Sequence, residues 1–277
     1  MKTNKIISNI KSELGEGVYY DNNNDFLLWV DINKLKLFFV RGGNVQTYKT
    51  PEQISSVLDI NDGKIIVLGE SGILSFDYKL GLWESLHNTP GQYKTKEFRS
   101  NDGIKIKENL YIYGVMKKLA ENGVGAIIVC DQYRCRIVYE GIAIPNSFVH
   151  LPNSSEILIS DSFEQKVYAF TFDADYSKVI SKRIWLDLSN TLGTPDGGCL
   201  IGGSVYLAIW GAAKILKLDF FGNIQKEYVL PILNPTNCAS KINSDSLFVT
   251  SAYEGMSEEQ KIKYPLSGHT IKVGLNA

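Results

Sequence analysis

The chain has 277 residues, 44% of them hydrophobic, with 29 Lys plus Arg against 30 Asp plus Glu and a formal net charge of −1. That balance excludes a nucleic-acid partner recognised through a general basic field, because neutralising phosphates takes a clustered excess of cations. It equally excludes a disordered polyacid, and no apolar run approaches the ~18 residues of a membrane span, so no membrane partner is expected.

The start, Met1 to Ile10, is basic but lacks an apolar stretch, so a secretory leader is not expected and the cytoplasm is the expected compartment. Short strands then follow one another. Phe26 to Val30, Lys64 to Leu68, Leu110 to Tyr113, Ile157 to Ile159, Ser204 to Ala208 and Leu247 to Thr250 are rich in β-branched and aromatic residues. Turn clusters such as Asn61-Asp62-Gly63, Asn153-Ser154-Ser155 and Asn243-Ser244-Asp245 precede them. Helical periodicity is confined to Met256 to Lys261.

The strands recur. Their ends, marked by Asp31, Gly69, Gly114, Asp161, Ile209 and Ser251, are spaced at roughly the 40–50 residues of a propeller blade. A second strand follows most markers, as in Lys34 to Val40, Lys166 to Phe172 and Lys214 to Leu218. The pattern predicts an all-β chain, a six-bladed β-propeller forming one domain over residues 1–277. Thr270 to Val273 is expected to pair with an N-terminal strand and close the ring.

The histidines are His87, His150 and His269, far apart and in no ligand spacing, so a His-rich zinc site is not expected. Cys130, Cys135, Cys199 and Cys238 form no C-x-x-C motif and are expected to be free, mostly buried thiols.

In a propeller, residues at equivalent positions of several blades converge on a central channel. Upstream of the markers stand Glu16, Asn101, Asn146, Asp196 and Thr236, each in a context punctuated by Gly or Pro. Singly these are turn formers. Together, two carboxylates and two carboxamides form an oxygen-rich set suited to a hard divalent cation in a central metal site. Calcium fits best, taking six to eight oxygens. Magnesium, manganese, iron(II) or zinc could use the same groups.

Leu14-Gly-Glu-Gly-Val18, Leu28-Trp-Val-Asp-Ile32, Arg99-Ser-Asn-Asp-Gly103, Ile144-Pro-Asn146, Pro195-Asp-Gly197, Pro235-Thr-Asn-Cys238 and Pro265-Leu-Ser-Gly268 occur in an ordered set. With that set the chain resembles the senescence-marker-protein/gluconolactonase/luciferin-regenerating-enzyme family over nearly its whole length. The resemblance implies a six-bladed propeller with one divalent metal held by Glu16, Asn146 and Asp196. It also implies that Arg99 and Asn101 contact the substrate. Some positions depart from the family pattern: Gly17-Val18 stands for Gly-Pro, Asn146-Ser147 for Asn-Gly, and Lys117-Lys118 for acidic residues. The two lysines are either a basic rim suited to an anionic lactone or solvated surface residues.

The expected function is metal-dependent hydrolysis of a small-molecule sugar lactone, with Asp196 as metal ligand and catalytic base. Arg99 offers a rigid fork of donors and Asn101 both donates and accepts, which suits a polyol. The alternatives are a calcium-binding propeller acting as a non-enzymatic binding module, and a phosphotriesterase-like hydrolase. A serine hydrolase is disfavoured, because Gly69-Glu-Ser-Gly72 lacks the last Gly of a nucleophile elbow.

Overall fold

The computed structural model describes residues 5–276, so the first four residues of the basic start lie outside it. Strand β1 (Lys5–Ile6) precedes a first sheet of β2 (Gly15–Asp21), β3 (Phe26–Asp31), β4 (Lys36–Arg41) and β5 (Asn44–Lys49). The second sheet is β6 (Ile54–Asn61), β7 (Lys64–Gly69), β8 (Gly72–Asp77) and β9 (Leu82–Asn88). The third is β10 (Phe98–Lys107), β11 (Leu110–Lys117), β12 (Gly125–Cys130) and β13 (Cys135–Ile142). The fourth is β14 (Pro145–His150), β15 (Glu156–Asp161), β16 (Lys166–Phe172) and β17 (Val179–Asp187). The fifth is β18 (Thr194–Ile201), β19 (Ser204–Trp210), β20 (Lys214–Leu218) and β21 (Ile224–Val229). The sixth runs β22 (Asn234–Ala239), β23 (Ser246–Ala252), β24 (Ile271–Gly274) and then β1.

Every sheet is an antiparallel meander, and the six are the blades of a six-bladed β-propeller. They fall into two compact units. One comprises the residues up to Thr50 with those from Leu192 onward, and holds the first, fifth and sixth sheets. The other, Pro51–Thr191, holds the second, third and fourth.

Burial explains which strands could be read from sequence. The second strand of each sheet is covered on both faces: β3 is buried along its whole length, and β7 and β15 almost so. A strand covered on both faces reads as a continuous apolar run. The covering comes from neighbouring sheets. In the Pro51–Thr191 unit, Ile112 and Ile127 of the third sheet pack with Ile157 and Phe170 of the fourth. In the other unit, Tyr206 and Ile215 pack with Leu247 and Val249. The outermost strands, such as β5 and β9, are largely exposed and polar.

The expected closure is present: Lys5 pairs with Lys272 and Ile6 with Ile271, so the last blade is completed by the start of the chain. The helical turn is α1 (Glu258–Lys263), starting slightly later than expected because Ser257 caps it in a capping box with Gln260. No helix among the described residues is long and apolar enough to cross a membrane.

One expectation is corrected. Cys130 and Cys135 are not free but joined in a disulfide. They are direct partners across the β12–β13 hairpin with Cα atoms 4.0 Å apart, and Asp131 fixes the turn by accepting from the Tyr133 and Arg134 amides. Cys199 and Cys238 remain thiols.

Ile271 is fully buried in β24, whereas Lys272 beside it is exposed. Ile271→Ala should therefore lower stability by about 3 kcal/mol, and Lys272→Ala by less than about 1 kcal/mol. Denaturant unfolding followed by tryptophan fluorescence measures both.

Candidate functional site

The candidate residues all lie on the first strand of a sheet, not in the loops that lead into it. Glu16 is on β2, Arg99 and Asn101 on β10, Asn146 on β14, Asp196 on β18 and Thr236 on β22. These strands carry Pro145, Pro195 and Pro235, and each is the edge of its sheet, where a missing N–H breaks no ladder.

Each of these five strands slips register two or three residues from its start. Pairing jumps from Glu16↔Val30 to Tyr19↔Leu28, from Ser100↔Val115 to Gly103↔Tyr113, and from Asn146↔Ser160 to Val149↔Leu158. It jumps likewise from Pro195↔Ile209 to Gly198↔Leu207, and from Pro235↔Ser251 to Cys238↔Val249. Two residues then oppose one, which is a β-bulge, and a bulge re-aims the side chains around it. The candidates consequently occupy two adjacent positions. Glu16 and Asn146 are the last paired residues, whereas Asn101, Asp196 and Thr236 are the first bulged ones.

In the Pro51–Thr191 unit the structure brings three candidates together. An Arg99 guanidinium nitrogen donates to Asn101 Oδ1 at 2.6 Å and to the Ser100 carbonyl at 2.9 Å. Asn101 Nδ2 donates to Asn146 Oδ1 at 2.7 Å and to the Pro145 carbonyl at 3.0 Å. Asn146 Nδ2 in turn donates to Ser162 Oγ at 3.0 Å. Both ends of the Asn146 carboxamide are thus oriented, and its Oδ1 keeps one lone pair for a further partner.

Beneath this run sits Asp102, which sequence reasoning did not single out although it stands inside Asn101-Asp102-Gly103. Its carboxylate accepts the Gly103 amide at 2.8 Å, the Ser56 hydroxyl at 3.4 Å, and the amides of Phe148 and Ser147. One buried group thereby ties β6, β10 and β14. Burial raises its pKa to about 6, against the lowering effect of those hydrogen bonds.

Ser147 occupies the left-handed region with φ 54°, a conformation that carries a cost of about 1–2 kcal/mol for a residue with a Cβ. Its hydroxyl accepts from Ser160 at 3.3 Å, and its amide serves Asp102. Gly114, opposite the Asn101–Asp102 bulge, has no such latitude: a Cβ there would lie 2.2 Å from the Pro145 ring.

In the other unit Glu16 is half-buried, with the Gly17 amide donating to Oε2 at 3.1 Å, and Asp196 is buried. Gly197, next to Asp196, lies so close to Asn237 that a Cβ would fall 2.3 Å from its carboxamide carbon. Thr236 is structural, since its hydroxyl donates to the Gly15 carbonyl at 2.5 Å and meets Thr250 Oγ1 at 2.9 Å. That contact ties β22 to the strand carrying Glu16.

Among the described residues no three His, Cys, Asp or Glu side chains gather as a metal cluster. Glu16 and Asp196 lie in one unit and Asn146 in the other; all three side chains offer oxygen donors of the kind a hard cation takes. The two lysines do not form a basic rim: Lys117 pairs with Glu121 and Lys118 with Glu70, each at 2.7 Å.

Comparison with known proteins bears on this arrangement. The family described as SMP-30/Gluconolactonase/LRE-like region matches residues 14–253. A putative sugar lactone lactonase of Rhizobium meliloti is 26% identical, over 98% of this chain and 93% of its own length. The L-arabinolactonase of Azospirillum brasilense is 24% identical, over 95% and 89%. The crystal structure of a calcium-binding protein, regucalcin, from Agrobacterium tumefaciens superposes with a TM-score of 0.91 at 23% identity, covering 99% of this chain and 94% of that one.

The folded pKa of Asp102 lies above the 3.8 of an unfolded carboxyl, so the native state binds the extra proton between the two values. The contribution of Asp102 to stability is full below about pH 4 and is lost as pH rises through about 6. In EDTA-treated protein, the stability of the wild type relative to Asp102→Asn should therefore fall across that window. Urea unfolding at a series of pH values measures it, and a flat difference would contradict the assignment.

Proposed function

The chain belongs to the SMP-30/gluconolactonase/LRE-like family, and from that premise we propose that it hydrolyses a sugar lactone to the open-chain acid with a divalent cation held by Glu16, Asn146 and Asp196. What supports the reading most directly is the hydrogen-bonded run Arg99–Asn101–Asn146. It makes the two expected substrate contacts and one expected metal ligand a single connected unit. The relatives named as lactonases span nearly the whole chain, which favours the same chemistry.

When bound, the cation supplies Lewis-acid polarisation of the lactone carbonyl. Calcium suits an all-oxygen set of two carboxylates and a carboxamide with water completing the shell. Magnesium, manganese, zinc or iron(II) would compete for the same groups.

The chain's own residues do the rest. Asp196, a buried carboxylate at a bulge, takes a proton from the attacking water as general base. Arg99 is held by its bond to Asn101, and its guanidinium fork is the chemical kind of group that recognises ring hydroxyls. Asn101 is fixed at both ends of its carboxamide, by Arg99 on Oδ1 and by Asn146 and Pro145 on Nδ2. That fixing orients the substrate contact before the lactone arrives. Because Lys117 and Lys118 are ion-paired, an uncharged aldonolactone is favoured over an anionic one.

Asp196→Asn and Glu16→Gln should each lower EDTA-sensitive turnover of an aldonolactone by about 100-fold or more, measured as acid release with a pH indicator. Unchanged rates would overturn the assignment. Calcium binding without turnover of any lactone, ester or phosphotriester would instead favour a binding module. Arg99→Lys should raise KM about 10-fold with a smaller effect on kcat, the signature of a binding contact.

A further inference from the structure

Cys199 and Cys238 take no part in the site proposed above, yet their sulfur atoms lie 3.4 Å apart, 39 residues apart in sequence. Cys199 is on β18 and half-buried, and Cys238 is on β22 and buried. The two strands are edge strands of neighbouring sheets in the same unit, and each cysteine sits just beyond the bulge of its strand. The backbones approach closely here, because Gly197 leaves room for only the Asn237 side chain. Cys238 is further held by its contact with the Tyr206 carbonyl, 3.5 Å from its sulfur.

We propose that Cys199 and Cys238 are a redox modification site, closing to a disulfide that ties the fifth sheet to the sixth when a peroxide is supplied. Sulfurs in contact need to approach by little more than 1 Å to reach bonding distance. The chemistry is two-electron. Cys199 loses its thiol proton, the thiolate attacks one peroxide oxygen, the O–O bond breaks, and the hydroxide released takes up that proton, leaving a sulfenic acid and water. The Cys238 thiolate then attacks the Cys199 sulfur, the S–O bond breaks, and the departing hydroxide leaves as water with the second thiol proton. Overall two thiols and one peroxide give one disulfide and two waters.

Cys199 is the first target because it is the more accessible of the two. The hydrogen bond to Cys238 and burial push its thiol up from the ordinary value, so reaction is slow at neutral pH and accelerates as pH rises. The inference does not depend on lactone hydrolysis.

The full-length protein is treated with hydrogen peroxide, and separately with dithiothreitol, and read by intact mass and by non-reducing peptide mapping. The expected result is a loss of two hydrogens, a Cys199–Cys238 linked peptide, and reversal by dithiothreitol. A rise in Tm of about 5–10 °C accompanies closure, since the bond constrains a long loop of the unfolded chain. Cys199→Ser and Cys238→Ala, made separately, should each abolish the linked peptide. Gain of one or more oxygens at Cys199 without a linked peptide, or an unchanged mass after prolonged peroxide at pH 8.5, would overturn the proposal.

Discussion

A single-residue slip in the innermost strand is the constraint on which the candidate site depends. In five sheets the first strand carries, two or three residues from its start, one residue more than its partner can pair with there. A regular strand would send alternate side chains to opposite faces, and half the polar residues would be forced into the apolar layers between sheets. The bulge breaks that alternation where it matters. Glu16 and Asn146 end the regular pairing, and Asn101 and Asp196 occupy the slip. The second sheet is different: the shifts of β6 flank other residues, and its contribution is the serine pair Ser55 and Ser56 rather than a candidate ligand.

Bulges leave backbone amides without ladder partners, and these must be satisfied. In the Pro51–Thr191 unit that role falls to Asp102, which collects amides from its own bulge and from that of β14. The same two bulged strands carry the side-chain run from Arg99 through Asn101 and Asn146 to Ser162. In the other unit Thr236 and Asn237 play related parts, one holding the Gly15 carbonyl and the other filling the space over Gly197. Asp31 and Asp161 serve the scaffold differently. Each accepts amides from the segment leading into its own sheet, fixing where the first strand begins. Scaffold and site are therefore built from the same short segments.

The fold was legible because the second strand of each blade is covered on both faces. Phe26–Asp31 and Glu156–Asp161 had to be apolar runs, and their recurrence could be measured along the chain. The outer strands were not legible in the same way: Asn44–Lys49 is polar and exposed, so nothing in its composition demands a strand. The five site candidates were found by their shared position upstream of the markers. Their division into two adjacent positions was hidden, because a bulge is a property of pairing between strands. Asp102 was hidden for a similar reason, since its partners come from β6 and β14, far away in sequence. The Cys130–Cys135 bond was missed because five residues of separation become a direct pair only once the hairpin register is known. Of the two sequence readings of Lys117 and Lys118, a basic rim or surface lysines, their ion pairs with Glu121 and Glu70 favour the second.

As proposed, oxygens of Glu16, Asn146 and Asp196 would together hold one divalent cation. A crystal structure of the protein soaked in calcium, with the ion located by anomalous scattering, tests it most directly. One ion is expected, with an oxygen from each of these three side chains at ~2.3–2.6 Å and waters completing six to eight ligands. An ion bound by other residues, or no ordered ion at saturating calcium, would contradict it.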